Sequence, residues 1–448
     1  MSFGAISLRA VLEEHLPSGA TGLAVGVSGG ADSACLLAAV AQLGTPCPIR
    51  GLNVRAVHID HGLQPAAAAL RGAAEALCRQ MHIPLATISV AVELAAGASI
   101  EAAAREARYR ALALALAPGE CLLTAHHAQD QAETLLLQLL RGAGLKGLSS
   151  MPLCRPLGPG WHLRPLLNVA QRDVRTFGRA QGIAAVEDPM NRDLRFDRAY
   201  LRAQVWPLLE KRWPGAGTAL SRTAHHVAEA QELLDTSAAP TVQRLRDGDA
   251  LAVSGLRALT NLERINAVRH WLFAAEVTPP PASRLTEALR QVFAADADHL
   301  PAIVWGEHAL RRYQDRLFLT HAQLPAVGEP LEWKIAPGSI LNLGPGMGRL
   351  RWISQNGGLD AGRLPPALSV RQRRGGEVLK PSRRAKTQTV QHLCQSHGVL
   401  PWMRGALPML FAGEALVAVG DLWQDARWCT APGEPGVGCA WDDAPGLF

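Results

Sequence analysis

The sequence predicts an α/β protein: a doubly wound parallel sheet, an α-rich middle module and a small mixed α/β module at the C-terminus. Three observations predict it. Short apolar runs alternate with helical segments through the first 145 residues, the signature of parallel strands joined by crossover helices. The first strand passes into its helix through the glycine-rich turn Ser28-Gly29-Gly30-Ala31-Asp32-Ser33. Beyond about residue 145 the alternation stops, and after residue 240 come breakers at Pro279-Pro280-Pro281, a Pro/Gly-rich passage at 325–348 and a basic stretch.

The elements follow in order. Residues 1–16 carry Arg9, Glu13 and Glu14 among apolar side chains, which fits an amphipathic helix and not a cleaved signal. Strands are expected at 23–27, 52–59, 85–90 and 121–125, with a helix after the glycine-rich turn as far as Leu43 and further helices at 64–81, 100–117 and 129–141. The chain is charged and helical over 165–215. A helix over 217–236 is expected to end at Ala238-Ala239-Pro240. The last module, 349–430, combines short strands with a basic helical piece. Gly and Pro make 431–448 a loosely ordered tail. The expected division is therefore a catalytic domain at 1–216, a helical linker and middle module at 217–340, a basic module at 341–430 and a flexible tail at 431–448.

Composition bounds the function. A chain of 448 residues, 48% apolar, supports several domains with real cores. No apolar run approaches the roughly 18–20 residues of a membrane span, so no membrane partner is expected. Eight cysteines without a Cys-x-x-Cys pair point to reduced thiols and a cytoplasmic home. A net charge of +6 permits a polyanionic partner without requiring one. Nothing in the sequence reports the oligomeric state.

The Ser28–Ser33 turn is the strongest chemical signal. Two glycines let backbone N–H groups face an anion, two serines add hydroxyls, and the following helix adds its positive end. No Gly-Lys-Ser/Thr closes it, so it is not a Walker A loop. The second signal, Thr124 to Thr134, also leaves a strand and opens a helix. Ala132, Leu135, Leu136, Leu139 and Leu140 form its buried stripe, so Asp130, Glu133 and Thr134 project the other way. His127 and Asp130 then sit at the carboxyl ends of the strands, where ligands of such sheets bind. His58 ends the second strand and is expected to line the nucleotide pocket; with His61 it also suggests a metal pair, but no further Cys/His cluster supports zinc.

Three basic groups remain. Glu101, Arg105 and Arg108 share a helix face, which reads either as a solvated salt-bridged surface or as one arginine turned toward phosphate. Arg195, Arg198 and Arg202 form a row that either grips RNA phosphates or is paired by Asp188, Asp193 and Asp197. Arg371, Arg373, Arg374, Lys380, Arg383, Arg384 and Lys386 stand against Glu377 alone, a one-signed patch that fits nucleic acid.

Together these segments resemble the tRNA(Ile)-lysidine synthetases, within the PP-loop ATP pyrophosphatases that cleave ATP between its α and β phosphates. The segments are 28–33, 58–63, 101–110, 124–151 and 187–202, and again 370–423. Two departures stand out: Gln129-Asp130 where the family commonly has two aspartates, and Arg198-Ala199 where it commonly has Arg-Asn. The resemblance implies an adenine-nucleotide-hydrolase-like fold and an ATP- and Mg²⁺-dependent ligase. Its tRNA substrate would be tRNA(Ile) with a CAU anticodon. The wobble cytidine is adenylated on its carbonyl oxygen with release of diphosphate, and free L-lysine then displaces AMP. Carried onto this chain, Ser28, Gly29, Gly30, Ala31, Asp32, Ser33 and His58 would bind ATP. Asp32 and Asp130 would hold Mg²⁺ through the phosphates. Asp32, His127, Asp130, Arg105 and Arg108 would serve catalysis. Arg195, Arg198, Arg202, Arg371, Arg373, Arg374, Lys380, Arg383 and Arg384 would contact tRNA. The amine proton falls to His127 or Asp130. Competing readings are a PP-loop tRNA thiolase, an amidotransferase or NAD-type synthetase, and a silent RNA-binding protein.

Overall fold

The computed structural model describes residues 3–60, 67–90, 100–183, 193–294, 302–336 and 338–446, and divides into two compact units, 1–234 and 235–448. In the first, β1 (Gly22–Gly26), β2 (Asn53–Asp60), β3 (Leu85–Ser89) and β4 (Glu120–Leu123) alternate with α2 (Ala31–Leu43), α3 (Ala67–Gln80) and α4 (Ile100–Ala115) after an N-terminal α1 (Ala5–His15). The hairpin β5 (Cys154–Leu157) and β6 (Gly160–Leu163) completes a sheet of order β3-β2-β1-β4-β6-β5. All neighbours are parallel except β5, an antiparallel edge. The doubly wound expectation therefore holds, with strand boundaries one or two residues from those read in the sequence.

The order follows from burial. Leu23, Ala24 and Val25 of β1 are fully covered, as a central parallel strand requires. Leu36, Leu37 and Val40 of α2 pack in one cluster with Leu8 and Leu12 of α1 and Val174 of α7 (Gln171–Ala180). Each such side chain contributes about 1.5–3 kcal/mol by leaving water. Beyond β4, α5 (Ala128–Leu140) buries Ala132 against Leu201 and Trp206. Those residues belong to a helical run made of α8 (Asp197–Tyr200), a π-helical turn (Leu201–Val205) and α9 (Trp206–Arg212), after the short α6 (Leu145–Leu148).

A long helix, α10 (Ala216–Leu245), carries Pro240 inside it, so the expected stop near Ala238 does not occur. Pro240 is exposed, and Val242 and Leu245 beyond it are buried with Leu256 and Trp271. That burial holds the helix through the one backbone bond proline removes. Unit two then has α11 (Val253–Arg257), α12 (Asn261–Ala274) and α13 (Ala282–Ala294) on a sheet absent from the sequence reading. Its order is β7 (Arg246–Asp247), β8 (Ala250–Ala252), β11 (Arg316–His321), β10 (His308–Tyr313), β9 (Ala302–Trp305).

The C-terminal sheets are β12 (Leu331–Lys334), β15 (Ala367–Arg371), β18 (Met409–Ala412), β19 (Ala415–Val419) and β20 (Trp423–Gln424), and separately β13 (Ile340–Asn342), β14 (Arg349–Asn356) and β21 (Pro435–Asp442). Trp333 and Trp352 stack at 4.3 Å between them. Two expectations are corrected. The tail is not loose: β21 pairs with β14 along eight residues, and Cys439 and Trp441 are buried, with Trp441 Nε1 donating to the Met347 carbonyl at 2.7 Å. The basic stretch is not helical. It spans turns and the two-residue strands β16 (Val378–Leu379) and β17 (Gln388–Thr389), and α14 (Val390–Ser396) begins after it.

Candidate active site

The phosphate loop is tied by its own serines. Ser33 Oγ donates to the Gly30 carbonyl at 2.9 Å and accepts from the Ser28 N–H at 3.1 Å, while the two hydroxyls lie 3.0 Å apart. Gly29 has φ +86°, and a Cβ there would lie 2.5 Å from the Leu70 carbonyl oxygen, so both the turn and the close approach demand glycine. Ala31 opens α2 with Gly30 as its N-cap. His58 is buried, and its Nδ1 lies 2.8 Å from the Val27 carbonyl. A carbonyl only accepts, so Nδ1 carries the proton and pins β2 to the strand end that feeds the loop. His61 lies outside the described residues.

His127 caps α5 in a reciprocal arrangement. Its backbone N–H donates to Asp130 Oδ2 at 3.0 Å, and the Asp130 N–H approaches His127 Nδ1 at 3.4 Å. Capping and chemistry therefore coincide: Nε2 of the same ring lies 3.5 Å from Asp32 Oδ2, linking the two helix N-termini. Arg202 closes the group from the π-helical turn, with Nη2 at 2.6 Å from Asp130 Oδ1 and Nε at 2.7 Å from Glu133 Oε1. Arg198 Nη2 donates to Thr134 Oγ1 at 2.6 Å.

Electrostatics follow from this geometry. Burial works against the charged His127 ring, but Asp32 and Asp130 outweigh it and raise its pKa. Burial likewise acts to raise the Asp130 carboxyl, yet His127 and Arg202 hold it below the usual carboxylate range. Asp32 follows the same pattern, with the His127 hydrogen bond prevailing over burial. His126 is driven well below its ordinary value, chiefly by burial, and stays neutral.

Two carboxylate oxygens in this group are buried without a partner: Asp32 Oδ1 and Glu133 Oε2. An unpartnered carboxylate oxygen beside a phosphate cradle fits a cation that bridges it to phosphate. Among the described residues no three His, Cys, Asp or Glu side chains gather into a self-sufficient metal site, so phosphate oxygens would have to complete the shell. Asp130 has both oxygens engaged, one by Arg202 and one by the His127 N–H, which leaves Asp32 as the available ligand of the expected pair.

The other expected residues divide. Arg105 and Arg108 lie 5.2 and 5.7 Å from the Tyr109 ring centroid, in a group that also holds His162. The side chain of Glu101 lies outside what is described. The arginine row is not one face. Arg195 precedes α8 and pairs with Asp193 at 2.6 Å in the open, whereas Arg198 and Arg202 turn inward to α5. Asp188 lies outside the described residues. In the C-terminal patch, Arg371 covers the Phe411 ring at 3.7 Å, Arg373 is half-buried near Glu377, and the Lys380 N–H donates to Asp425. Arg374, Arg383, Arg384 and Lys386 are exposed. Sequence reasoning missed Glu133 as a site residue; its signal was the three-residue spacing from Asp130 on the polar side of α5.

Comparison with known proteins fits this geometry. Residues 5–209 match the PP-loop domain family, 251–318 the TilS substrate binding domain and 368–441 the TilS substrate C-terminal domain. A tRNA(Ile)-lysidine synthase of Alkalilimnicola ehrlichii is 40% identical over 92% of both chains. That of Pseudomonas aeruginosa is 40% identical over 90% of both. The chain belongs to the tRNA(Ile)-lysidine synthase family. Among solved structures, a U34-tRNA thiolase of Methanococcus maripaludis aligns with TM-score 0.42 at 16% identity, over 50% of this chain and 78% of that one.

Proposed function

We propose that the chain joins free L-lysine to C2 of the wobble cytidine of tRNA(Ile) bearing a CAU anticodon, using ATP and releasing AMP and diphosphate. The observation that carries this reading is the linkage, in this family member, of a helix-terminal phosphate loop to a buried carboxylate group through one histidine. Cytosine is a poor electrophile. Its carbonyl oxygen attacks the α-phosphorus, the bond to the β-phosphate breaks, and the ring carbon acquires AMP as leaving group. The lysine amine then attacks that carbon, loses a proton, and AMP departs.

Backbone N–H groups at Gly29 and Gly30, the serine hydroxyls and the α2 N-terminus would hold phosphate oxygens. Asp32 would hold Mg²⁺, which when bound neutralises phosphate charge and favours diphosphate as a leaving group. Deprotonating lysine at pH 7 costs roughly 4–5 kcal/mol from its amine pKa. Of the two candidate bases His127 is the stronger, because flanking carboxylates raise it while Asp130 is lowered. We assign the amine proton to His127. Asp130 and Glu133, aligned by Arg202, would attract the incoming ammonium. Arg202 then organises carboxylates and Arg198 holds the Thr134 hydroxyl more than they grip RNA, and the exposed Arg374, Arg383, Arg384 and Lys386 are the better tRNA contacts. A cytoplasmic setting suits the eight free cysteines; no helix among the described residues is long and apolar enough to cross a membrane.

The test is mass analysis of nucleosides from a CAU-anticodon tRNA(Ile) transcript after incubation with ATP and lysine. The reading expects cytidine converted to lysidine only when both are present. An unchanged nucleoside profile overturns it.

A further inference from the structure

A second charged group surrounds Tyr109 and joins Arg105 and Arg108, expected above to serve catalysis, to Arg155 and Arg164, which have no role assigned above. Arg105 and Arg155 each lie 5.2 Å from its ring centroid and Arg108 lies 5.7 Å away. Arg164 hydrogen-bonds its side chain and is 2% exposed. Four guanidinium groups from α4, β5 and the end of β6 thus share one phenol. Among the described residues, Arg105, Arg155 and Arg164 form no ion pair with a carboxylate. Arg164 Nη1 donates to the Pro152 carbonyl at 2.6 Å, but its Nε and that of Arg155 are buried without partners. His162, fully buried against the same ring at 5.6 Å, keeps Nε2 on Thr124 Oγ1 at 2.7 Å and leaves Nδ1 unpartnered.

Buried cations normally have an anion, because an uncompensated charge out of water is costly. Among the described residues no carboxylate compensates Arg105, Arg155 or Arg164. The rigid fork of arginine suits phosphate oxygens. The Tyr109 ring is enclosed by guanidinium groups, so it serves to space them and not to stack a base.

We propose that this arginine cage is a second phosphate site, which seats a backbone phosphodiester of the tRNA beside its target nucleotide. This deepens the lysidine-forming reading and rests on it. The place argues for RNA over the polyphosphate of ATP. The cage lies at the carboxyl edge of β6, two strands from β1, or about 10 Å at the usual strand spacing. A triphosphate seated on the Ser28–Ser33 loop keeps its charge at β1, whereas an RNA strand carries a phosphate at every nucleotide. The cage also draws Arg155 and Arg164 from the antiparallel hairpin at the sheet edge.

The experiment measures binding of an anticodon stem-loop RNA and of ATP to the full chain, with the wild type, Arg155→Gln and Arg155→Lys compared across salt concentrations. Circular dichroism and thermal melting confirm folding, and Tyr109→Phe, which removes only the hydroxyl that Arg164 meets, provides an independent variant. The expected result for Arg155→Gln is a five- to tenfold loss of RNA affinity with ATP affinity unaltered. The log–log salt slope should shallow by about 0.7–0.9, the value for one neutralised phosphate. Arg155→Lys should restore the slope but not the full affinity. An unchanged RNA affinity and slope in Arg155→Gln overturns the proposal, as does a loss confined to ATP or inorganic diphosphate. Wild-type lysidine formation, measured separately, reports on the underlying reading whatever Arg155 does.

Discussion

Replacing Arg202 with Met tests whether the carboxylate group is held by one guanidinium. Asp130 is 8% exposed and Glu133 fully buried, and both lie within 2.7 Å of Arg202. Removing one partner of a fully buried pair costs about 3–5 kcal/mol. A third of the Arg202 side chain is exposed, so solvent relieves part of this, leaving about 2–3 kcal/mol at pH 7. The loss should depend on pH. In the wild type burial opposes ionisation of Asp130, but His127 and Arg202 prevail and lower its folded pKa. That contribution is present above the unfolded carboxyl value and is lost as pH falls through the folded one. In Arg202→Met burial is less opposed, the folded value rises, and protonation relieves the stranded charges. Amide exchange along α5 in a urea series isolates this local stability. The deficit should be largest at pH 7, narrow at pH 4.5, and shrink when Glu133→Gln is added. A deficit below about 0.5 kcal/mol, or one equal at both pH values and unrelieved by Glu133→Gln, refutes the reasoning.

Other expectations follow from the same geometry. Asp32→Asn should cut tRNA-dependent ATP–diphosphate exchange by about 100-fold or more; full exchange would remove Asp32 from the metal role. Gly29→Ala, at φ +86° and against the Leu70 carbonyl, should raise the KM for ATP at least tenfold, and an unaltered KM would show the loop tolerates a side chain. Because His127 is raised in the folded state, its stabilising contribution is complete below about pH 6.5 and fades as pH climbs through the folded value. His127→Gln should therefore cost more stability at pH 6 than at pH 8.5, and the acid limb of wild-type activity should lie above 6.5. Neutralising Arg383, Arg384 and Lys386 together should weaken full-length tRNA binding and shallow its salt slope by about 0.7–0.9 for each phosphate no longer neutralised, while ATP affinity stays constant.

The N-terminal sheet was legible because its signals are local. Leu23–Gly26, the glycine turn and the stripe of α5 each announce themselves within a dozen residues, and the phosphate loop, His127 and Asp130 were read from them. What stayed hidden depends on distant partners. Val437, Cys439 and Trp441 alternate as a strand should, but Gly and Pro around them masked a pattern that only β14 completes. Pro240 reads as a stop unless the burial of Val242 and Leu245 is known. Glu133 looks like a surface residue until Arg202, which is 69 positions away, turns inward to meet it. Arg155 and Arg164 sit in segments with no motif at all, and acquire meaning only when α4 brings Tyr109 between them.

The central claim, that the phosphate loop directs AMP onto a nucleobase, is tested most directly by withholding lysine. With ATP labelled at the α-phosphate and a CAU-anticodon tRNA(Ile) transcript, label should move to the RNA with stoichiometric diphosphate release. Adding lysine should then discharge it as AMP. Release of ADP and inorganic phosphate, or diphosphate release that ignores the RNA, would contradict the account.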